Sequence, residues 1–218
     1  MPVFESQSLG KEQAWAIWHI QESEEELSFK AQQSCPDEII FPEKRLEWLA
    51  GRALIRSLTE DCGLEYLGLR KDEFGKPFLK EHPHQISLSH SFPYVAAQID
   101  RHQPVGIDLE QPKEKLRKIA SRIFNPDEVK DAGDDLTKLC IYWCAKEALY
   151  KLYGKRSLLF SDHLRVQPFV LSQSGDLMGT IQLPENSIPI PIPIAIGTIG
   201  IRLQYLVMED FVMVNTGV

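Results

Sequence analysis

The sequence of 218 residues lacks the features that direct a chain into or across a membrane. It contains no run of about 18 apolar residues, which a membrane-spanning helix would need. Its first residues, MPVFESQSLGKEQ, have no basic segment followed by an apolar stretch, so we do not expect a secretory signal. We therefore expect a cytoplasmic protein with no membrane partner.

Cysteine is scarce, and the four that are present do not form a C-x-x-C pair. Cys140 and Cys144 lie four residues apart in an apparent helix, which suits small buried thiols better than metal ligands. A chain without a disulfide framework is typical of a reducing compartment, in agreement with the expected cytoplasmic location.

Two common catalytic signatures are also missing. The chain has neither a G-x-x-x-x-G-K-[ST] phosphate loop nor a G-x-S-x-G nucleophile turn. Ser89-His90-Ser91 could suggest a hydrolase, but in an extended chain an imidazole cannot act as base for the hydroxyl of the preceding residue. A binding role, or a polar corner with satisfied hydrogen bonds, is the better interpretation.

The composition is that of an ordinary globular protein, with 43% hydrophobic and 25% charged residues. Its length allows one large domain or two small ones. The formal charge of −7 argues against nucleic acid as a partner. One short segment is basic and contains Lys113, Lys115, Arg117, Lys118 and Arg122, opposed only by Glu114. Such a segment could steer an acidic protein, although a solvated helix face explains the same pattern and is the interpretation the sequence favours.

Helix and strand signals are mixed without strict alternation, which predicts an α+β fold. The helices are predicted after Pro42 as far as Gly63, at 115–123, from Pro126 onward, and at 136–153 before Gly154. The strands are predicted at 15–20, 86–89, 94–99 and 105–110, with short β-like runs at 164–171, 179–183, 194–201 and 206–214. The alternating prolines of 188–194 cannot donate to a ladder, so we expect that segment to be extended and at a sheet edge.

The strand at 105–110 places two carboxylates on one face. Because successive side chains of a strand point to opposite faces, Asp108 and Glu110 lie together, roughly 7 Å apart at their backbones. Two like charges at that distance favour a cation between them, and carboxylate oxygens suit Mg²⁺. A solvated strand face is the alternative.

The helix at 136–153 carries a further acid, Glu147, and Lys151 one turn later. An exposed pair at this spacing is common and contributes little. Here the surrounding residues make the helix apolar nearly all round, which predicts burial. A buried charge is costly unless it is paired or binds something, so the pattern favours a functional Glu147.

Together these segments resemble the 4′-phosphopantetheinyl transferase superfamily, in its monomeric surfactin-synthetase-activator type. Its pattern G-[IV]-D-[IVL]-E appears as residues 106–110, and [WF]-x-x-K-E-[AS]-x-x-K appears as 143–151. Two shorter segments precede them in the family's order, a G-K-P turn at 75–77 and S-x-S-H-S at 87–91. The resemblance covers residues 42–155.

The resemblance implies two similar α+β halves, 1–104 and 105–218, related by a pseudo-twofold axis with the cofactor in the cleft between them. The second half would carry the metal site. The implied activity is the Mg²⁺-dependent transfer of 4′-phosphopantetheine from coenzyme A to a serine of an acidic apo-carrier protein, with release of 3′,5′-ADP. The pathway served is open, and two internal halves are compatible with a monomer.

Individual roles also follow from the resemblance. The implied Mg²⁺ ligands are Asp108, Glu110 and Glu147. The implied coenzyme A contacts are Arg45, Arg52, Lys76, Ser89, His90, Asp108, Lys146 and Lys151. Glu147 and Lys151 would act in catalysis, and Glu128 would be the general base, with the adjacent Asp127 as a rival.

Two other functions are compatible with parts of this pattern. Paired carboxylates, Mg²⁺ and lysines would also serve a nucleotide hydrolase or nucleotidyl transferase, although the missing phosphate loop disfavours it. A binding protein that keeps the fold without catalysis is the second alternative, and the intact acidic and lysine positions disfavour that.

Overall fold

The computed structural model describes residues 3–8, 12–183 and 198–217 of the chain. These residues form two compact units, of which the first ends at Val105 and the second comprises Gly106–Gly217. Each unit combines helices with an antiparallel sheet, which confirms the predicted α+β class. Among the described residues, none of the helices has the length and apolar character needed to cross a membrane.

The first unit is a six-stranded sheet covered by helices. Its elements are β1 (Val3–Ser8), β2 (Gln13–His19), α1 (Glu24–Ala31), α2 (Pro42–Asp61), β3 (Leu69–Lys71), β4 (Pro77–Leu79), β5 (Gln85–Ser91) and β6 (Tyr94–Asp100). The strand order is β1-β2-β6-β5-β4-β3, and every pairing is antiparallel. Helix α2 packs on β2, β5 and β6, so one side of this helix faces the core.

Helix α2 forms where the sequence predicts it. Pro42 occupies the first turn, where its missing N–H costs nothing. Leu49, Leu54 and Leu58 recur at helical spacing and are buried against the sheet. The side of the helix opposite this apolar stripe carries charged residues of α2.

The second unit is a five-stranded sheet with one long central helix. Its elements are β7 (Ile107–Glu110), α3 (Lys115–Ile123), α4 (Pro126–Ala132), α5 (Leu136–Tyr153), α6 (Phe160–His163), β8 (Leu164–Val166), β9 (Ser174–Gln182), β10 (Thr198–Val207) and β11 (Val212–Thr216). The order is β7-β11-β10-β9-β8, again antiparallel throughout. Helix α5 packs against every strand of this sheet, which explains its apolar circumference.

Local signals fix both ends of α5. Asp135 caps its first turn by accepting a hydrogen bond of 2.9 Å from the Lys138 N–H. Gly154 ends it in the left-handed conformation, with a φ of 70°. The observed bounds coincide with the predicted ones.

Some elements differ from the prediction. Helix α1 was not predicted, although Ser23 and Glu26 form a capping box at its start. The run predicted at 206–214 is interrupted, because β10 ends at Val207 and β11 begins at Val212. The prolines of 188–194 lie outside the described residues. The domain boundary at 104, the pseudo-twofold axis and the cofactor cleft stay predictions.

Candidate active site

The motif strand β7 and helix α5 bring an acid and a lysine together in the second unit. Lys151 Nζ donates to Asp108 Oδ1 at 2.7 Å and to the Ile107 carbonyl at 3.0 Å. The Asp108 side chain is 8% exposed and that of Lys151 is 26% exposed. The lysine therefore lies at the border of the core, with its ammonium group bonded to strand β7.

Glu147 lies close enough to the same carboxylates to interact with them electrostatically. Burial raises the pKa of Glu147 to about 7, and the negative charges of Asp108 and Glu110 add to the rise. The positive charge of Lys151 opposes it without cancelling it. The three predicted acidic ligands therefore share one electrostatic environment.

Glu110 has cationic neighbours of its own. Its carboxylate lies 3.2 Å from Lys115 Nζ and 3.8 Å from Lys113 Nζ. Its side chain is 17% exposed, so it is more accessible than Asp108. Both lysines belong to the basic segment identified in the sequence, which thus begins at the acidic cluster itself.

The fit of these residues to a divalent cation rests on their chemistry. Within the described part of the chain, no group of three or more His, Cys, Asp or Glu side chains is arranged so that it could hold a metal ion. The available donors are nevertheless carboxylate oxygens, which Mg²⁺ prefers, and the charges of Asp108 and Glu110 add to the effect of burial in raising the pKa of Glu147. Asp108, Glu110 and Glu147 are the residues that would hold the ion, and this assignment stays a prediction.

The arrangement around Glu128 argues against the role predicted for it. Its carboxylate accepts from Lys146 Nζ at 2.6 Å, from the Val166 N–H at 2.8 Å and from the Asn125 N–H at 3.0 Å. Glu128 is 1% exposed, so a substrate proton cannot reach it in this structure. The carboxylate caps α4 and ties it to β8. Its pattern in the sequence is that of a capping box, which the helix signal alone would have suggested.

Lys146 is likewise occupied. Its Nζ donates to Glu128 and to the carbonyls of Ile123 and Phe160, and its side chain is fully buried. All three ammonium donors are thereby used. The coenzyme contact predicted for Lys146 is not compatible with this geometry, because the sequence motif cannot tell which lysine of the helix faces inward.

A second candidate site is a cavity of about 680 Å³ in the first unit. It lies beside α2, β3 and β5 and is lined in part by the charged or polar residues Lys44, Glu47, Arg52, Arg70, Lys71, Ser89 and His90. Cations outnumber the single acid, so the cavity suits an anion. Its volume is that of an ordinary small-ligand pocket.

The two residues predicted from the S-x-S-H-S segment line this cavity. Ser89 is buried, and His90 is exposed with its side chain 54% accessible. His90 Nδ1 lies 3.0 Å from Glu47 Oε2, which also accepts from Lys44 Nζ at 2.6 Å. The structure thus joins the predicted histidine to two residues of α2.

Arg52 lines the same cavity, as predicted. Its guanidinium lies 3.3 Å from the ring centroid of Trp48 and donates to the Trp48 carbonyl at 3.2 Å. Burial lowers the pKa of Arg52 to about 10, which leaves it charged at neutral pH. The stacked arginine is therefore a fixed cation in the wall of the cavity.

Arg45 faces elsewhere on α2. It forms a bidentate ion pair with Glu24 at 2.6 and 2.8 Å and donates to the carbonyls of Pro36 and Ile39. These bonds fasten α1 and the following loop to α2. The coenzyme contact predicted for Arg45 is not supported by this geometry.

Lys76 lies between two residues of the cavity wall, Gly75 and Pro77. Burial lowers the pKa of its ammonium to about 8, and the nearby Asp72 partly offsets the effect. Lys76 is thus placed beside the cavity in the turn that the sequence predicts.

Sequence reasoning missed Lys44, Glu47 and Trp48 as site residues. All three line the cavity together with Arg52. Counted from Lys44 they lie at i, i+3 and i+4, with Arg52 at i+8, so they share one helix face with the predicted arginine. That spacing was the available signal.

Comparison with known proteins agrees with the resemblance stated from the motifs. The family model of the 4′-phosphopantetheinyl transferase superfamily matches residues 104–180. The chain is 31% identical over 150 residues to 4′-phosphopantetheinyl transferase Sfp of Bacillus subtilis, covering 65% of this chain and 64% of that protein. It is 31% identical over 150 residues to 4′-phosphopantetheinyl transferase psf-1 of Bacillus pumilus, covering 65% and 62%.

A third relative is 4′-phosphopantetheinyl transferase HetI of a Nostoc species, 30% identical over 132 residues and covering 52% of this chain and 54% of the relative. The chain thus spans less than two thirds of the length of the curated relatives it matches. By its motifs, its α+β architecture and these matches, the chain is similar to members of the 4′-phosphopantetheinyl transferase superfamily.

Proposed function

We propose that this protein is a transferase that moves the 4′-phosphopantetheine group of coenzyme A to a serine hydroxyl of an apo-carrier protein. The observation that carries the proposal is the Lys151–Asp108 pair beside Glu147 in the second unit, formed by the two family motifs. The first unit supports it with a cationic cavity for the nucleotide.

The cavity of the first unit would take the 3′-phosphoadenosine part of the coenzyme. Arg52 and His90 line it, and Lys76 lies in the chain between its lining residues Gly75 and Pro77. Ser89 adds a hydroxyl at the same place. Arginine and lysine side chains are the usual ligands of phosphate groups, and a stacked arginine is preorganised for that task.

The second unit would act on the pyrophosphate. Lys151 would donate to phosphate oxygens that gain negative charge as the phosphorus–oxygen bond breaks. The hydrogen bond to Asp108 would hold the ammonium group of Lys151 in place. Asp108, Glu110 and Glu147 would hold Mg²⁺, which when bound neutralises pyrophosphate charge and orients the leaving group. The carrier serine oxygen would bond to the β-phosphorus, and 3′,5′-ADP would leave.

The serine proton needs an acceptor, because a hydroxyl is a weak nucleophile near neutral pH. Glu128 is buried and bonded to three donors, so its geometry does not support the part first predicted for it. Asp127, its exposed neighbour at the start of α4, is the alternative that the sequence left open.

Mass spectrometry of apo-carrier proteins tests the proposal directly. Each candidate carrier is incubated with the purified protein, coenzyme A and Mg²⁺, and we expect a mass gain of one phosphopantetheine group. Omission of Mg²⁺ should abolish the gain. Production of AMP or phosphate from coenzyme A or ATP, with unmodified carrier, would point instead to the nucleotide hydrolase.

Variants locate the activity. Asp108→Ala and Glu147→Ala should each reduce turnover by orders of magnitude while the thermal unfolding transition stays cooperative. Glu209→Ala removes an exposed acid of the same unit and is the matched control, with unchanged turnover expected. Normal turnover of both site variants at saturating Mg²⁺ would refute the assigned site.

A further inference from the structure

Glu47 is an unexpected member of the cationic cavity. It is the acidic residue among those that line it, and it is only 2% exposed. A negative charge in the wall of an anion site repels the ligand, so its presence needs an explanation.

The carboxylate of Glu47 is fully engaged by donors. It accepts from Lys44 Nζ at 2.6 Å, from His90 Nδ1 at 3.0 Å and from the Phe92 N–H at 2.9 Å. Burial acts to raise its pKa, but the hydrogen bonds from His90 and Lys44 prevail and hold it at about 2. Glu47 therefore stays ionised at every pH at which the protein would work.

These bonds determine how His90 is presented. A carboxylate can only accept, so Nδ1 must carry a hydrogen. In the imidazolium form both ring nitrogens donate, and Nε2 is then available to a second acceptor. The Phe92 N–H bond also fixes the carboxylate to the backbone just after His90, so the acid, the ring and the strand end form one rigid group.

We infer that Glu47 is a positioning residue that holds His90 and Lys44 at the cavity so that they recognise the 3′-phosphate of the adenosine group. The inference rests on the proposed function, since it specifies how one end of that substrate is distinguished. It assigns to Glu47 the selection of 3′-phosphorylated over unphosphorylated adenosine, and no contact with the ligand.

The direction in which one substitution changes phosphate affinity distinguishes a positioning role of Glu47 from a purely electrostatic one. Glu47→Gln keeps the shape of the side chain and removes its charge. If Glu47 only adds negative potential, the variant should bind a phosphate more tightly. If Glu47 positions His90 and Lys44, the variant should bind it more weakly, by about tenfold, the effect of losing one charge-assisted hydrogen bond.

Calorimetric titration with 3′,5′-ADP and with 5′-AMP measures this effect. We expect Glu47→Gln to weaken 3′,5′-ADP binding about tenfold and to leave 5′-AMP binding nearly unchanged, because 5′-AMP lacks the 3′-phosphate. Glu43→Gln, at an exposed position on the same helix, is the control and should match the unmodified protein for both ligands. A merely structural role would change both affinities together.

The outcomes are distinct. Failure of the unmodified protein to bind 3′,5′-ADP would overturn the proposed function and this inference with it. Binding of 3′,5′-ADP by the unmodified protein and equally well by Glu47→Gln would overturn the inference alone. If Glu47→Gln does not fold, Glu47→Asp replaces it, because it keeps the charge and shortens the reach to His90. The same selective loss is expected, and an unchanged ratio of affinities would refute the positioning.

Discussion

Lys146 and Lys151 lie on the same helix but serve different purposes. Lys146 is enclosed by Glu128 and two carbonyls, whereas Lys151 reaches Asp108 at the border of the core. Burial lowers the pKa of Lys146, and the charge of Glu128 opposes that effect. A buried ion pair of this kind links two segments of the chain, but burying its charges costs free energy of desolvation. Removing one partner leaves an unpaired buried charge.

The first prediction concerns this pair. Glu128→Gln should lower the free energy of unfolding by about 3–5 kcal/mol, the usual cost of leaving one member of a buried ion pair alone. The double variant Glu128→Gln with Lys146→Met should recover part of the loss, since it removes the stranded charge. Chemical denaturation of the unmodified protein and of the single and double variants gives the required free energies.

The same variants decide the chemical role of Glu128. If the carboxylate is structural, turnover per folded molecule stays near that of the unmodified protein. A large loss of turnover with coenzyme A affinity and unfolding free energy both retained would instead establish it as the general base. Asp127→Asn is the companion variant, at the exposed neighbouring position.

The second prediction uses the lowered pKa of Lys76, which is about 8 because the ammonium is buried. A phosphate binds the protonated form, so above that pKa binding requires proton uptake and the affinity for 3′,5′-ADP should fall by up to tenfold per pH unit. Calorimetry between pH 7.5 and pH 9.5 would show the decline. Lys76→Arg keeps its charge over this range and should give a flatter profile; equal profiles would exclude Lys76 from the phosphate site.

At the scale of single residues, the sequence identifies chemistry better than orientation. The face of Asp108 was predicted from the alternation of its strand, whereas the role of Lys151 was implied by the resemblance; the structure joins the two residues by a hydrogen bond. Arg45 and Lys146 were predicted from position alone, and both are occupied by bonds to residues distant in sequence. Such long-range partners leave no local pattern, so only the folded chain reveals them.

At the scale of elements, the contact between β7 and α5 determines where the motif residues meet. A side chain at Gly106 would overlap the carbonyl oxygen of Ala148 and approach the Leu152 nitrogen to 2.9 Å. The glycine of the first motif is therefore required by the close passage of the second. Helix α5 can bring Lys151 to Asp108 because nothing larger than hydrogen separates the two backbones.

The third prediction follows from this contact. Gly106→Ala should displace α5 from β7, lowering the free energy of unfolding by about 1–3 kcal/mol or more, as overpacking of a tight interior does. Turnover should fall as well, since Lys151 and Asp108 separate. Thermal unfolding and the carrier assay measure the two effects.

Gly51→Ala is the matched control. Gly51 lies within helix α2, and the Cβ atom added there would lie 3.8 Å from the Leu88 side chain, an ordinary van der Waals distance. This variant should be neutral or more stable by about 0.5–1 kcal/mol, because alanine favours a helix over glycine. A Gly106→Ala protein as stable and as active as the unmodified one would contradict the proposed role of the contact.

Prediction of elements succeeds where local signals agree. Helix α5 has a capping aspartate, a terminal glycine and an apolar circumference, and its bounds were predicted correctly. The short strands β3 and β4 have only three residues each, too few for a periodic pattern, and they are recognised only by their pairing with each other and with β5. Helix α1 was not predicted, although Ser23 and Glu26 at its start have the spacing of a capping box.

At the scale of the whole molecule, the net charge of −7 conceals a basic surface on α3. Leu116 anchors this helix in the core, and Arg117, Lys118 and Arg122 are exposed. Arg117 is engaged by Glu114 and Asp134, within 3.1 and 3.7 Å. We propose, from the resemblance and this charge, that an acidic carrier protein docks here.

The fourth prediction tests this docking surface. Lys118→Glu combined with Arg122→Glu reverses two charges on α3 without touching Lys115, which contacts Glu110. We expect the KM for the carrier protein to rise about tenfold or more at low salt, because electrostatic steering is lost. Coenzyme A affinity and the maximal rate should stay within about twofold of the unmodified protein, since no residue of either candidate site is changed.

The comparison across salt concentrations separates docking from a general charge effect. The control is Lys80→Glu combined with Arg156→Glu, which makes the same change in net charge at two exposed positions outside α3. It should leave the KM for the carrier protein nearly unaltered. For the unmodified protein the KM should rise with added salt, whereas the reversed α3 variant should respond weakly, because its attractive contacts are already gone. An α3 variant whose KM and salt response match those of the control would show that the carrier docks on another surface.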